Sequence, residues 1–160
     1  MANVTYTEMN EMLKEAVARF KKLGYKVGKV VNLDVSYRYS SAWAKCIRNS
    51  PHYVRNKSFT ITVSDRLFKA NKESVRDIIH HEVIHTIPGC FNHGSMFKNA
   101  AGHCNKKFGT HITVTAPEAV VYFGHDSIQA QEYEKSIAQF KQQCKEARKA
   151  ARRAACKGNK

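Results

Sequence analysis

The sequence predicts an α+β domain built from an N-terminal helix, a small antiparallel sheet, a central helix and a long basic C-terminal helix. Apolar residues recur at three- and four-residue steps in several segments, which is the period of an amphipathic helix. Between the first two segments, apolar and polar residues alternate, as they do in half-buried strands. We place one domain in residues 1–115 and a connector with a basic amphipathic helix in residues 116–160.

The first helix has start and stop signals at both ends. Thr5 and Glu8 have the spacing of a capping box, with Thr7 as an alternative cap, and Gly24 suits the end. The apolar stripe of this helix comprises Met9, Met12, Leu13, Ala16, Val17 and Phe20. We expect this stripe to cover a sheet.

Three short strands are predicted next, in residues 31–39, 42–47 and 59–63. A turn signal, Asn49-Ser50-Pro51, separates the second strand from the third. Because the connections are short, an antiparallel meander is expected instead of crossover connections. The inward positions of the first strand are Val31, Leu33, Val35, Tyr37 and Tyr39.

The central helix begins near residues 71–73 and ends at Pro88-Gly89. Its cap is either Asn71 or the pair Ser74 and Asp77, and its core stripe consists of Val75, Ile78, Ile79 and Val83. Another helix is predicted in residues 94–107, and its apolar side consists of Met96, Phe97, Ala100 and Ala101. A short strand is predicted in residues 111–115.

The central helix contains the motif His81-Glu82-Val83-Ile84-His85. His81 and His85 lie one helical turn apart, so both imidazoles project from one face and suit a tetrahedral zinc ion. Glu82 is rotated by about 100° from His81 around the helix. It is therefore expected to act as general base on a zinc-bound water and not as a ligand.

A third ligand is needed, because a catalytic zinc keeps its fourth position open. Seven residues separate His85 from His93, which follows the Pro88-Gly89 turn and is our candidate. Cys90 is the alternative third ligand, because a thiolate binds zinc well; as a fourth ligand it would close the site and make it structural. His80 has no partner four residues on and is predicted not to bind the metal. His103 and His111 are expected at the surface or near the ligands.

Composition restricts the location and the partners of the chain. Lys and Arg number 27 against 13 Asp and Glu, a formal net charge of +14, which favours polyanionic partners. The five cysteines are scattered and form no C-x-x-C pair, which indicates a reducing compartment. There is neither a secretory signal nor an apolar run of membrane-spanning length. We expect a cytoplasmic protein, in the host cytoplasm if it is viral, with no membrane partner.

The ordered motifs resemble the SprT-like zinc metalloproteases, which include the Spartan proteases. They are the segment 36–44 (Ser-Tyr-Arg-Tyr-Ser-Ser-Ala-Trp-Ala), the strand 59–64, the motif 81–85 and the segment 93–97 (His-Gly-Ser-Met-Phe). The resemblance implies a minimal zincin-like fold in which the N-terminal helix and the sheet pack on the motif helix. It also implies that the helix after the motif carries the third zinc ligand, His93. Without paired cysteines the chain is similar to a compact bacterial or phage-type member that lacks the C-terminal zinc ribbon.

The leading interpretation is a zinc endopeptidase that acts on DNA-associated or crosslinked proteins, the DNA being single- or double-stranded. The predicted C-terminal helix of the chain begins at about Ser127 and carries a basic stripe that can contact phosphates. The tentative contacts are Lys141, Lys145, Arg148, Lys149, Arg152 and Arg153. Two alternatives stay open. One is a nucleic-acid-binding protein with a structural zinc site, and the other is a zinc peptidase with a dedicated protein substrate.

Overall fold

The computed structural model describes residues 4–36, 42–49 and 57–115, together with positions 139, 142, 143, 145 and 146. The chain divides into two compact units, Met1–Tyr122 and Phe123–Lys160, and each is considered by itself. In the second unit the described positions are helical and exposed, and Gln142 donates to Glu146 over 2.6 Å. The remainder of the predicted C-terminal helix lies outside the described residues. The boundary placed after residue 115 stays a prediction.

Helix α1, Tyr6–Lys22, begins and ends as its sequence predicts. The capping box forms: the Glu8 N–H donates to the Thr5 hydroxyl (3.2 Å), and the Thr5 N–H donates to the Glu8 carboxylate (2.8 Å). Gly24 adopts φ 86°, so that the Tyr25 N–H reaches the Phe20 carbonyl over 3.0 Å. The predicted stripe is buried, apart from the half-buried Val17. Within the first unit α1 packs mainly against the central helix, so the expectation that its stripe covers a sheet is wrong.

Three strands form one mixed sheet: β1 (Lys29–Ser36), β2 (Ala44–Arg48) and β3 (Ser58–Ser64). Their order is β1-β3-β2, with β1 parallel and β2 antiparallel to β3. The predicted antiparallel meander is therefore wrong for β1. A short connection does not require neighbouring strands, because the seven residues 37–43 are long enough to span the roughly 10 Å between strands two places apart.

A bulge in β1 changes which side chains face the core. Val30 is opposite Phe59 and Asn32 is opposite Thr60, which leaves Val31 without a counterpart. Val31 is consequently 50% exposed, although strict alternation placed it inward with Leu33, which is buried. Tyr37 and Tyr39, predicted on the same face, lie outside the described residues.

The buried strand β3 leads into the central helix α2, Lys72–Ile84, through a 3-10 turn at Asp65–Lys69. The Asn71 side chain accepts the Ser74 N–H over 3.0 Å, so Asn71 is the cap and the alternative pair is not used. The predicted core stripe of α2 is buried throughout. The motif helix is thus packed between α1 and the sheet.

Helix α3, Ser95–Phe108, follows a loop and ends at Gly109, which adopts φ 65°. Phe97, Ala100 and Ala101 are buried as predicted, but Met96 is 55% exposed. Met96 instead lies over Gly89, where an added Cβ would come within 2.7 Å of its sulfur.

Two further observations concern the whole described part of the chain. Residues 111–115 form no strand there, which corrects the prediction of a short strand. None of the described helices is long and apolar enough to cross a membrane.

Candidate metal centre

Three histidines converge next to the end of α2. His81 and His85 extend from the last turns of the helix, and His93 lies just before α3. The His81 Nε2 atom is 3.2 Å from His85 Nε2 and 2.9 Å from His93 Nε2. All three ligand atoms lie within 4.8 Å of one another. Tetrahedral zinc with bonds of about 2.0–2.1 Å requires nitrogen separations of about 3.3 Å, so the cluster can hold such an ion.

Backbone carbonyls orient two of these rings. His81 Nδ1 lies 2.7 Å from the Thr113 carbonyl, and His85 Nδ1 lies 3.0 Å from the Cys90 carbonyl. Since a carbonyl oxygen only accepts, each Nδ1 carries the proton and donates. The lone pair of each ring is therefore on Nε2, which faces the cluster. Such an outer hydrogen bond fixes the ring and increases the basicity of the ligand atom.

The environment also keeps the imidazoles neutral. Burial lowers the pKa of His81 to about 4, although its hydrogen bond to the Thr113 carbonyl acts in the opposite direction. Burial likewise lowers the pKa of His85. At neutral pH both rings are therefore uncharged bases, which is the form that binds a cation.

The ring of Phe97 packs against the rings of all three histidines. Its ring centroid lies 4.7 Å from that of His81, 4.9 Å from that of His85 and 4.7 Å from that of His93. Phe97 is completely buried in the first turn of α3. It therefore packs against all three rings as well as filling the core, which is more than its sequence position on an apolar stripe predicts.

Glu82 lies in the same cavity but points towards the sheet. It is 7% exposed, and the backbone N–H of Cys46 on β2 donates to its carboxylate. Burial raises the pKa of Glu82 to about 7, while this hydrogen bond acts to lower it. A carboxyl group with this pKa exchanges a proton readily at neutral pH.

The hydrogen-bonding pattern of β2 explains why Cys46 can reach Glu82. The Ser64 N–H donates to the Trp43 carbonyl (2.7 Å) and the Asn49 N–H donates to the Ser58 carbonyl (2.9 Å). In an antiparallel ladder such residues alternate with residues that face away from the partner strand. Ala44, Cys46 and Arg48 therefore turn their backbone groups away from β3, towards the edge of the described sheet. This edge borders the site.

A cavity of about 710 Å³ surrounds the centre. Its lining includes the three histidines and Glu82, residues of β2, the loop after α2 and residues 111–115. Trp43 forms part of the wall, and the Arg66 guanidinium carbon lies 4.5 Å over its ring. Asp77 also lines the cavity and accepts the backbone N–H of His111.

The side chain of Asn105 on α3 clamps the segment that reaches His81. Its amide donates to the Ile112 carbonyl (3.0 Å), and its oxygen accepts the Ile112 N–H (2.9 Å) and the Thr110 hydroxyl (2.8 Å). The Thr113 carbonyl that orients His81 follows directly. Asn105 thus positions the carbonyl that orients His81 in the three-histidine cluster. The sequence contains no signal for this role, because an asparagine near the end of a helix is common.

The other candidate residues lie apart from the three-histidine cluster. His80 is buried towards α1, 6.2 Å from the Phe20 ring, and its Nδ1 donates to the Arg76 carbonyl over 2.8 Å. His103 is exposed and pairs with the Tyr25 hydroxyl over 2.7 Å. The thiol of Cys90 is buried, and burial raises its pKa. Among the described residues the ligand cluster consists of histidines alone. Cys90 contributes its carbonyl instead.

Of the basic residues singled out near the C-terminus, the structure describes Lys145, which is exposed and helical. The others, Lys141, Arg148, Lys149, Arg152 and Arg153, lie outside the described residues.

Cobalt substitution tests whether Cys90 closes the site. We expect Co²⁺ to bind the wild-type protein without a thiolate charge-transfer band, and the spectrum of Cys90→Ser to be the same, because the ligand set is nitrogen. His93→Ala should lose tight binding, whereas His103→Ala, which changes an exposed histidine of α3, should not. A charge-transfer band that disappears in Cys90→Ser would instead establish a closed, structural site.

Removing the clamp should weaken metal binding without removing a ligand. We expect Asn105→Ala to raise the zinc dissociation constant on the order of 10- to 100-fold, the usual effect of losing an outer hydrogen bond. Chelator competition measures the affinity, and ¹⁵N NMR of the metal-free protein reports the tautomer of His81. Asn99→Ala, an exposed position on the same helix, is the control. Wild-type affinity in Asn105→Ala would show that the clamp does not act on the centre.

Comparison with known proteins agrees with this geometry. A model of the SprT-like family matches residues 9–116, which include the sheet, the motif helix, His93 and the clamp residue Asn105. No curated protein and no solved structure matched the chain. Since the match extends over more than half of the 160 residues, the chain belongs to the SprT-like family.

Proposed function

We propose that this protein is a zinc-dependent endopeptidase. The observation that carries the proposal is the convergence of three imidazole nitrogens on one cavity that also contains a buried carboxyl group with a pKa of about 7. Membership of the SprT-like family supports it. Zinc held by His81, His85 and His93 would supply a Lewis acid and a water with a pKa near 7.

Glu82 is the residue that would move the proton. Its carboxylate takes a proton from the attacking water and returns it to the leaving amine, as a general base and then a general acid. The Cys46 N–H holds the carboxylate at the edge of β2. Because the carboxyl is buried, a proton transferred to it is shielded from bulk water during the reaction.

The outer edge of β2 in the described sheet supports a peptide as the substrate. Ala44 and Cys46 line the cavity and turn backbone groups towards it, and since the Cys46 N–H is bound to Glu82, a peptide would pair with the other backbone groups of these residues. An extended peptide can add to such an edge as a further strand, with main-chain hydrogen bonds that do not depend on its sequence. This arrangement would lay a peptide bond next to Glu82.

Replacing the carboxylate tests the catalytic assignment. We expect Glu82→Gln to keep zinc and to lower the hydrolysis of an unfolded protein on the order of 10²- to 10⁴-fold, because the amide cannot accept the proton. The release of peptides is measured alongside the zinc content. Glu73→Gln, an exposed glutamate in the first turn of α2, is the control and should cleave normally. Equal cleavage by Glu82→Gln would refute the role of Glu82.

We further propose that the substrates are proteins associated with DNA. The net charge of +14 and the basic residues after position 140 support contact with a polyanion, and the resemblance to the Spartan proteases points the same way. In the predicted C-terminal helix, Lys141, Lys145, Arg148 and Arg152 fall on one face. Phosphate contacts from this stripe would be independent of sequence and sensitive to salt.

The stripe can be tested without shortening the chain. Replacing Lys141, Lys145, Arg148 and Arg152 together by Gln should weaken DNA binding. It should also reduce the slope of log affinity against log salt by about 3 to 4, one counterion per lost phosphate contact. Filter binding with single- and double-stranded DNA measures both quantities, and peptide cleavage should stay unchanged. If neither this variant nor deletion of residues 141–160 alters DNA affinity, a peptidase with a dedicated protein substrate is favoured.

A further inference from the structure

Three large apolar side chains that line the cavity remain exposed. Ile47 is 45% exposed, Phe91 46% and Val114 38%, and in the described part of the chain only Val31 and Met96 are comparable. Single exposed apolar residues are ordinary, whereas apolar residues that gather in one concave site mark a binding surface. We refer to Ile47, Phe91 and Val114 as the apolar wall.

Each member of the apolar wall adjoins a part of the metal centre. The Phe91 ring lies 6.2 Å from the ring of His85 in an edge-on arrangement. Val114 follows Thr113, whose carbonyl accepts from His81, and Ile47 follows Cys46, whose N–H binds Glu82. A group that contacts the apolar wall is therefore next to the position where a bond would be broken.

The Phe91 ring is held in place from the side. The guanidinium carbon of Arg48 lies 4.7 Å from the centre of this ring, within the range of a cation–π interaction. Arg48 is the last residue of β2 and directly follows Ile47. This contact connects the edge strand with the loop after α2, so the apolar wall is formed before a ligand arrives.

The charged groups of the cavity give less support to a preference for basic side chains in the substrate. Asp77 lines the cavity, but its carboxylate is half-buried and accepts the backbone N–H of His111. It therefore has a local partner and a structural task, and it is less available to a basic substrate side chain than an open carboxylate would be. Lys45 and Asn92 also line the cavity and are exposed, but neither carries a negative charge that would attract a basic side chain.

We propose that the apolar wall is the specificity subsite of the peptidase and accepts a Leu, Ile, Met or Phe side chain adjacent to the scissile bond. This inference rests on the proposed peptidase function and adds its substrate preference. Removing a large apolar side chain from water against Ile47 and Phe91 stabilises the bound peptide relative to one with alanine. We expect a gain in kcat/KM on the order of 10- to 100-fold for the apolar peptide.

Two measurements on the full chain test the proposal. In the first, the zinc-loaded protein digests a complex peptide mixture, and mass spectrometry identifies the bonds cut. Wild type should show enrichment of large apolar residues at one position beside the bond, and Phe91→Ala and Ile47→Ser should lose it. Val31→Ser, which removes an equally exposed valine from β1 outside this cavity, is the control and should cut like the wild type.

The second measurement is binding of a leucine-containing peptide and its alanine counterpart to the inactive Glu82→Gln protein. The leucine peptide should bind more tightly, and adding Phe91→Ala should remove the difference. Cleavage with no apolar preference, or with a preference for basic residues, would overturn the subsite and leave the peptidase intact. Selective binding without any cleavage by the wild type would support the apolar wall and overturn the peptidase. Equal binding of both peptides would overturn the subsite.

Discussion

The hydrogen bond from His81 to the Thr113 carbonyl is the interaction on which the centre depends most. It fixes the tautomer of the ring that stands closest to both other ligand nitrogens, at 3.2 Å and 2.9 Å. The carbonyl belongs to a segment without regular structure, so its position has to be imposed by other residues. Asn105 on α3 and Asp77 on α2 bind that segment. The backbone segment 111–113 therefore connects α2 with α3, and the three-histidine cluster lies next to it.

The sequence predicted what depends on local signals. The capping box of α1, the Asn71 cap, the stripe of α2 and the end of α3 at Gly109 all follow from residue types at fixed spacings. The same holds for the imidazoles of His81 and His85, because helical geometry alone places them on one face. The prediction of His93 depends on the glycine that follows it and on a family resemblance. The structure brings it to the other two.

What depends on long-range contacts was missed. The parallel pairing of β1 with β3, and the bulge that exposes Val31, follow from which strands meet and not from their alternation. Thr113 and Cys90 orient the histidine rings through their backbone carbonyls. Since every residue has such a carbonyl, the residue types at these positions do not predict this role. Cys90 shows this most clearly, because the sequence suggests its thiol as a metal ligand, whereas the structure shows its carbonyl in contact with His85.

Burial shifts the pKa values of His81 and Glu82 in opposite directions, and in both residues it favours the uncharged form. It lowers the pKa of His81 and raises that of Glu82, because a dry cavity disfavours charge of either sign. A neutral imidazole is free to bind a cation, and a carboxyl group near its midpoint is free to exchange a proton. The Cys46 N–H limits the rise of the Glu82 pKa, so β2 holds this carboxyl group in place and also tunes its pKa. Under the proposed function the remaining backbone groups on the same edge would align the peptide, so that one strand would position both the base and the bond on which it acts.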